Sequence, residues 1–154
     1  MSKIKIAVIV GSLRKESINK KLALAVGGMF ADRFELRRVE IADLPLYNQD
    51  FDGDFPASAL RFKQQVEAAD ALLFVTPEYN RSMPGVLKNA IDVGSRPSGS
   101  NSFAGKPAAI IGTSPGARGT ALAQQHLRNV LVGLDVLAMA QPEVTVQFQE
   151  GLID

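Results

Sequence analysis

The chain has 154 residues, 46% of them hydrophobic and 21% charged, and seventeen basic against sixteen acidic side chains leave a formal charge of +1. That length suits one domain able to bury a core, and the balanced charge excludes an overall field directed at nucleic acid or an anionic membrane, so any anion site is local. The absence of cysteine excludes disulfides and thiol catalysis.

The first predicted element is the apolar run Ile4 to Val10. It is too short for a membrane span and lacks the cleavage site of a secretory signal, so the cytoplasm is the expected compartment, with no membrane insertion. Continuously apolar towards its end, it predicts a central parallel strand. The stretch Gly11-Ser12-Leu13-Arg14-Lys15-Glu16-Ser17-Ile18-Asn19 follows and leads into a helical pattern. Such a loop aims backbone N–H groups, hydroxyls and a guanidinium at one point, where the positive end of the helix dipole favours an anion. It reads as a phosphate cradle; the alternative is an ordinary strand-to-helix turn with Ser17 as N-cap. The dinucleotide fingerprint and the G-x-x-x-x-G-K pattern are both absent. The donors are instead the side chains of Ser12, Ser17 and Asn19, the loop backbone and a charge-assisted fork from Arg14, on the scale of a monophosphate.

From Ser17 to about Asp32 the apolar positions Ile18, Leu22, Leu24, Ala25, Val26 and Met29 predict a helix. Phe34 to Ile41 alternates imperfectly around Arg37-Arg38 and reads as a strand nearer the edge. Residues 42 to 57 form a long connection whose Leu44, Leu46, Tyr47, Phe51 and Phe55 imply that it packs on something. Its Asp50-x-Asp52-x-Asp54 spacing fails as a calcium loop, because the glycine is misplaced and Arg61 holds the final-ligand position. Ser58 to Asp70 is a second helix, and Ala71 to Thr76 a third, central strand.

The loop Pro77-Glu78-Tyr79-Asn80-Arg81-Ser82-Met83-Pro84-Gly85 comes next. Pro77 and Tyr79 offer flat apolar surface and the backbone of residues 78 to 80 offers hydrogen bonds, which suits the edge of a planar heterocycle; the plain alternative is a turn plus a helix cap. Ser82 is the expected cap, with Pro84 in the first turn of a helix running from about Met83 to Val93. A Ser/Gly/Pro-rich surface loop, Gly94 to Pro107, leads to strand four, Ala108 to Thr113. Thr113-Ser114-Pro115-Gly116-Ala117-Arg118-Gly119 is a third glycine-containing loop at a strand end, followed by a helix from roughly Thr120 to Leu131. Val136 to Met139 and Val144 to Phe148 suggest a fifth strand divided near Pro142.

This alternation predicts an α/β domain over residues 1–154, a doubly wound parallel sheet with helices on both faces and right-handed crossovers. Ligands bind such sheets beyond the carboxyl ends of the strands, where all three unusual loops fall. No fifth helix follows the last strand, so either a neighbouring subunit covers that face or the natural protein continues.

Three segments together, Gly11-Ser12-Leu13-Arg14-x-x-Ser17-x-Asn19, Thr76-Pro77-Glu78-Tyr79-Asn80 and Pro84-Gly85-Val86-Leu87-Lys88-Asn89-Ala90-Ile91-Asp92, resemble the NAD(P)H-dependent FMN reductase family. That family includes quinone, chromate and azo-dye reductases, and the similarity covers essentially the whole chain, including Gly112-x-Ser114-x-Gly116. The resemblance implies a flavodoxin-like five-stranded sheet of order 2-1-3-4-5. It implies FMN as cofactor, with Gly11, Ser12, Leu13, Arg14, Ser17 and Asn19 around the phosphate. Pro77, Glu78, Tyr79 and Asn80 would then line the isoalloxazine edge, and Ser114 and Gly116 its other side. It also implies NADPH or NADH as co-substrate, a small electron acceptor, ping-pong turnover, and a homodimer or homotetramer in which the apolar 44–55 loop suits a subunit contact. Val93 stands where the family commonly has tryptophan, and the family's closing helix is missing.

No protein nucleophile or base is expected in such a scheme, because the flavin carries the chemistry at N5. The lone His126, among Gln124, Gln125 and Arg128, reads as solvated or interfacial, and one histidine without cysteine gives no metal site. Glu78 is the carboxylate nearest the expected ring, either at the flavin or turned to solvent or an interface. Two rivals stand beside the reductase. An FMN-containing electron carrier or sensor would more usually be strongly acidic, and a receiver domain would need an acidic cluster where Gly11 to Arg14 stands.

Overall fold

The computed structural model describes residues 3–153. Its elements in chain order are β1 (Ile4–Val10), α1 (Ile18–Met29), β2 (Phe34–Val39), a 3-10 turn at Gln49–Phe51, α2 (Ala57–Glu67), β3 (Ala71–Val75), α3 (Gly85–Gly94), β4 (Pro107–Ser114), α4 (Ala121–Val132), β5 (Leu137–Ala138) and β6 (Val144–Gln147). All strand pairs are parallel, and the sheet runs β2-β1-β3-β4-β5, the order expected from the sequence.

The divided fifth strand is real. β5 pairs with the start of β4 through Pro107 and Ala108, and β6 with its end through Ile111 to Ser114. The break around Pro142 lets one side of β4 be covered twice, since proline donates no ladder hydrogen bond.

Alternation along the central strands assigns each helix to a face. Ala7, Ile9, Leu72, Phe74, Ala108 and Ile110 point to the side packed by Phe62 and Val66 of α2, Leu87 and Ile91 of α3, and Leu127 and Leu131 of α4. Leu87 and Ile91 are fully buried, and each such side chain contributes roughly 1.5–3 kcal/mol by leaving water. Val8, Val10, Leu73 and Val75 point to the other side, which α1 covers with Ala23, Leu22 and Val26. Leu24 and Met29, counted with the apolar face of that helix in the sequence, lie on its outer side and are 76% and 73% exposed. The helix ends at Met29 because Phe30 turns the chain, with Phe34 N–H on the Phe30 carbonyl.

The 42–57 connection packs on the core, as its apolar content required. Leu44, Tyr47 and Phe55 lie against the α2/α3 side, and Asn89 of α3 staples the backbone in both directions. Its Oδ1 accepts from Tyr47 N–H at 2.8 Å and its Nδ2 donates to the Pro45 carbonyl at 2.9 Å. Lys63 performs a similar service on the loop after α3. Its buried ammonium donates to the carbonyls of Gly94, Arg96 and Ser100, the partners that a buried cation requires. Burial pushes its pKa down.

Candidate functional site

The loops after β1, β3 and β4 meet at the carboxyl edge of the sheet around a hollow of about 120 Å³, lined by Ser12, Arg14, Ser17, Ile18, Asn19, Pro77, Glu78, Tyr79, Thr113, Ser114 and Pro115. Small-molecule sites usually enclose about 300–1,000 Å³, so this hollow has room for only one end of such a ligand.

The first loop begins with a tight reversal. Gly11 N–H donates to the Val75 carbonyl, and a Cβ on Gly11 would stand 3.1 Å from Leu87 Cδ2, so this buried residue shapes the loop. Ser12 is 5% exposed, and among the described residues its hydroxyl has no hydrogen-bond partner; the N–H groups of Leu13 and Arg14 have none either. Arg14 is exposed and makes no ion pair among the described residues, while Lys20 Nζ donates to the Arg14 carbonyl at 2.7 Å. Ser17 is the N-cap of α1: its Oγ accepts from Lys20 N–H at 3.4 Å, which leaves the hydroxyl proton free to donate. The loop is a capped strand-to-helix turn, and it carries a set of uncommitted donors at the positive end of a helix.

Asn19 lines the hollow and is also engaged within the fold. It is 1% exposed, its Oδ1 accepts from Thr113 N–H at 3.0 Å and its Nδ2 donates to the Thr113 carbonyl at 2.9 Å. The side chain braces the start of α1 against the end of β4, and these bonds use one of its two Nδ2 protons. No local signal marks Thr113 as its partner, because the two are 94 residues apart.

At the second loop, Tyr79 N–H donates to the Ser82 carbonyl at 2.9 Å and Ser82 N–H to the Tyr79 carbonyl at 3.0 Å. Asn80 and Arg81 between them have φ of 51° and 64°. Two left-handed central residues define a type I′ turn, for which Asn-Gly is the cheap choice. Asparagine tolerates this region, whereas a residue such as Arg81 costs about 1–2 kcal/mol there. Tyr79 is half exposed at the mouth of the hollow.

Glu78 lines the hollow and is half-buried, and its carboxylate is engaged within the fold. Its Oε2 accepts from Leu122 N–H at 3.0 Å and Ala123 N–H at 3.1 Å, capping α4 from another loop. The helix needs it, since Thr120 at its own N-cap position makes no capping hydrogen bond. Ser82 does not cap α3 as expected. Its hydroxyl pairs with His126 Nδ1 at 3.0 Å, and Pro84 occupies the N-cap position rather than the first turn. The lone histidine is therefore held at the outside of the site, on an exposed face.

The third loop packs tightest. A Cβ on Gly112 would lie 2.1 Å from the Thr76 carbonyl oxygen and 2.4 Å from Thr120 Oγ1, so β3 and β4 approach here only because Gly112 has no side chain. The Ser114 hydroxyl donates to the Gly119 carbonyl and closes the loop on itself, which spends the proton it would offer a ligand. Gly119 has φ of 57° and sits against the backbone of Val146. Gly116 is exposed and uncrowded. Among the described residues no group of three or more His, Cys, Asp or Glu side chains could hold a metal, and no helix is long and apolar enough to cross a membrane.

A parallel sheet of order 2-1-3-4-5 with a donor-lined hollow at its carboxyl edge defines a flavodoxin-like α/β protein. The chain belongs to the NADPH-dependent FMN reductase family, whose model matches residues 4–151. It is thus an NAD(P)H-dependent flavoenzyme with FMN as cofactor. A 2-hydroxy-1,4-benzoquinone reductase from a Burkholderia species is 58% identical over 151 residues, 98% of this chain and 82% of that one. A quinone reductase from Escherichia coli K12 is 42% identical over 154 residues, 98% of this chain and 79% of that protein. Among solved structures, the flavoenzyme NAD(P)H:(acceptor) oxidoreductase FerB from Paracoccus denitrificans superposes with a TM-score of 0.92 at 50% identity, covering 96% of this chain and 81% of that one.

Proposed function

We propose that this chain reduces a quinone with electrons from NADPH or NADH, and that the hollow holds the phosphate end of FMN. The observation that carries the reading is the set of donors at the start of α1 that are uncommitted among the described residues: the Ser12 and Ser17 hydroxyls, the Leu13 and Arg14 N–H groups and the Arg14 guanidinium. Together they suit a dianionic phosphate at a helix N-terminus. Asn19 serves the same end by holding the cradle against β4. Pro77, Tyr79 and the backbone of residues 78 to 80 supply a flat edge for the ring system, and the Ser114–Gly116 backbone approaches it from the β4 side. Gly11 contributes shape, and Leu13 an exposed apolar side chain beside the cradle.

FMN held by these residues would supply the redox chemistry, a two-electron exchange between the nicotinamide and an acceptor. The protein orients the partners and needs no acid or base of its own. We assign a ping-pong order in which the nicotinamide leaves before the acceptor enters the same open mouth. Quinone is the leading acceptor because named relatives at 58% and 42% identity are quinone reductases. Chromate, azo compounds and free flavin are further candidates of the same two-electron or stepwise kind. A cytoplasmic homodimer or homotetramer fits the family resemblance.

The test is anaerobic. NADPH or NADH is added to the yellow holoenzyme, the visible flavin band is followed, and a quinone is then supplied. Bleaching by the nicotinamide and recovery on quinone addition are expected. A flavin that never bleaches would replace the reductase with an FMN-binding carrier or sensor.

A further inference from the structure

Of the nine arginines, five lie within 4.0 Å of a carboxylate among the described residues: Arg33, Arg37, Arg38, Arg61 and Arg128. Three of the other four stand one on each loop of the carboxyl edge, at Arg14, Arg81 and Arg118, and all three are exposed. The carboxylate closest to Arg81 in sequence, Glu78, is committed to the backbone of α4 and does not neutralise it. The rim of the site is therefore locally cationic on a chain whose formal charge is only +1.

Arg14 belongs to the FMN cradle in the reading above, whereas Arg81 has no assigned role. It occupies the second central position of the type I′ turn, with φ of 64°, where glycine would carry no steric cost. A long cationic side chain at a position that favours glycine indicates that the guanidinium is used. It is exposed and stands two residues after Tyr79, which lines the mouth of the hollow, so a dinucleotide whose nicotinamide reached that mouth would carry its ribose and phosphates out over this rim.

Resting on the reductase reading, we propose that Arg81 is the contact for a phosphate of the dinucleotide co-substrate, and so a specificity-determining residue for the reductive half-reaction. Guanidinium–phosphate pairing is charge-assisted and, at an exposed rim, depends on salt.

The experiment compares holoenzymes of wild type, Arg81→Gly and Arg81→Lys. The glycine variant removes the charge while easing the turn, so it should melt no lower than wild type and keep its FMN. Its KM for NADPH should rise about fivefold or more at low salt with kcat unchanged, the lysine variant falling between. The wild-type KM should climb with salt towards that of the glycine variant. Calorimetric titration of NADP+ into the oxidised holoenzyme should show the same loss of affinity without any turnover. A rise confined to NADPH identifies the 2′-phosphate; an equal rise with NADH identifies the diphosphate. Unchanged KM and NADP+ affinity in Arg81→Gly would overturn the assignment, as would lost FMN or a lowered melting temperature, which would make Arg81 structural. Because the NADP+ titration needs no flavin reduction, it judges Arg81 even where absent bleaching rejects the reductase reading.

Discussion

Replacing Glu78 by alanine removes the one oxygen that receives two N–H groups in the first turn of α4. Loss of a helix N-cap costs about 0.5–2 kcal/mol, and loss of a negative charge at the positive end of a helix a further 0.3–1 kcal/mol, so about 1–3 kcal/mol is expected. In a chain of this size 1 kcal/mol moves the melting temperature by about 2–4 °C, which places Glu78→Ala roughly 2–12 °C below wild type. Glutamine is the informative comparison. Both bonds go to a single oxygen, which a carboxamide reproduces, so Glu78→Gln should forfeit only the charge contribution and lose about 1–3 °C. The two loops joined by this cap form opposite sides of the hollow. Retention of FMN through gel filtration should therefore fall in the alanine variant and stay near wild type in the glutamine variant. The assays are thermal melting of the apo protein and flavin occupancy after filtration. If Glu78→Gln falls as far as Glu78→Ala on both measures, the capping explanation is wrong and the charge itself is what matters.

Arg14→Ala should weaken FMN far more than riboflavin in paired titrations of the apo protein, because only FMN offers the phosphate that the guanidinium would hold; equal losses would remove Arg14 from the phosphate. Asn19→Ala leaves the buried N–H and carbonyl of Thr113 without partners, so urea unfolding should show a loss of about 2–4 kcal/mol even without flavin. Gly112→Ala forces a methyl group to 2.1 Å from a backbone oxygen that no rotamer change can clear, and should yield little soluble protein or a loss above about 3 kcal/mol. Asp43 is held below its ordinary pKa of 3.8 by the hydrogen bond from Arg61, so its stabilisation is present above that value and is lost as pH falls through the lowered one. Wild type should exceed Asp43→Asn by about 0.2–1 kcal/mol at neutral pH, and urea curves in strong acid should converge.

Much of the architecture was legible because it rests on short-range periodicity. A continuously apolar strand cannot sit at an edge, and Ala71 to Val75 duly lies between β1 and β4; the broken alternation of Phe34 to Val39 belongs to a strand paired on one side only. The same holds for the loop after β1, whose elements are contiguous: a strand, seven residues and a helix start bring Ser12, Arg14 and Ser17 to one hollow. Helix ends were less legible. Ser82 and Pro84 both carry capping chemistry, and His126, 44 residues further on, takes the serine hydroxyl for a different bond.

What the sequence determined by itself was therefore the kind of protein: an α/β sheet with three chemically unusual loops at one edge and a family signature distributed along them. Only the tertiary structure decided what individual polar side chains in those loops do. Asn19 and Glu78 read as ligand contacts from the motifs that hold them, and within the fold they bond Thr113 and the first turn of α4, 94 and about 44 residues away. The physical reason is that a buried amide or carboxylate goes where unsatisfied backbone groups are, and folding alone determines which strand end and which helix start arrive beside it.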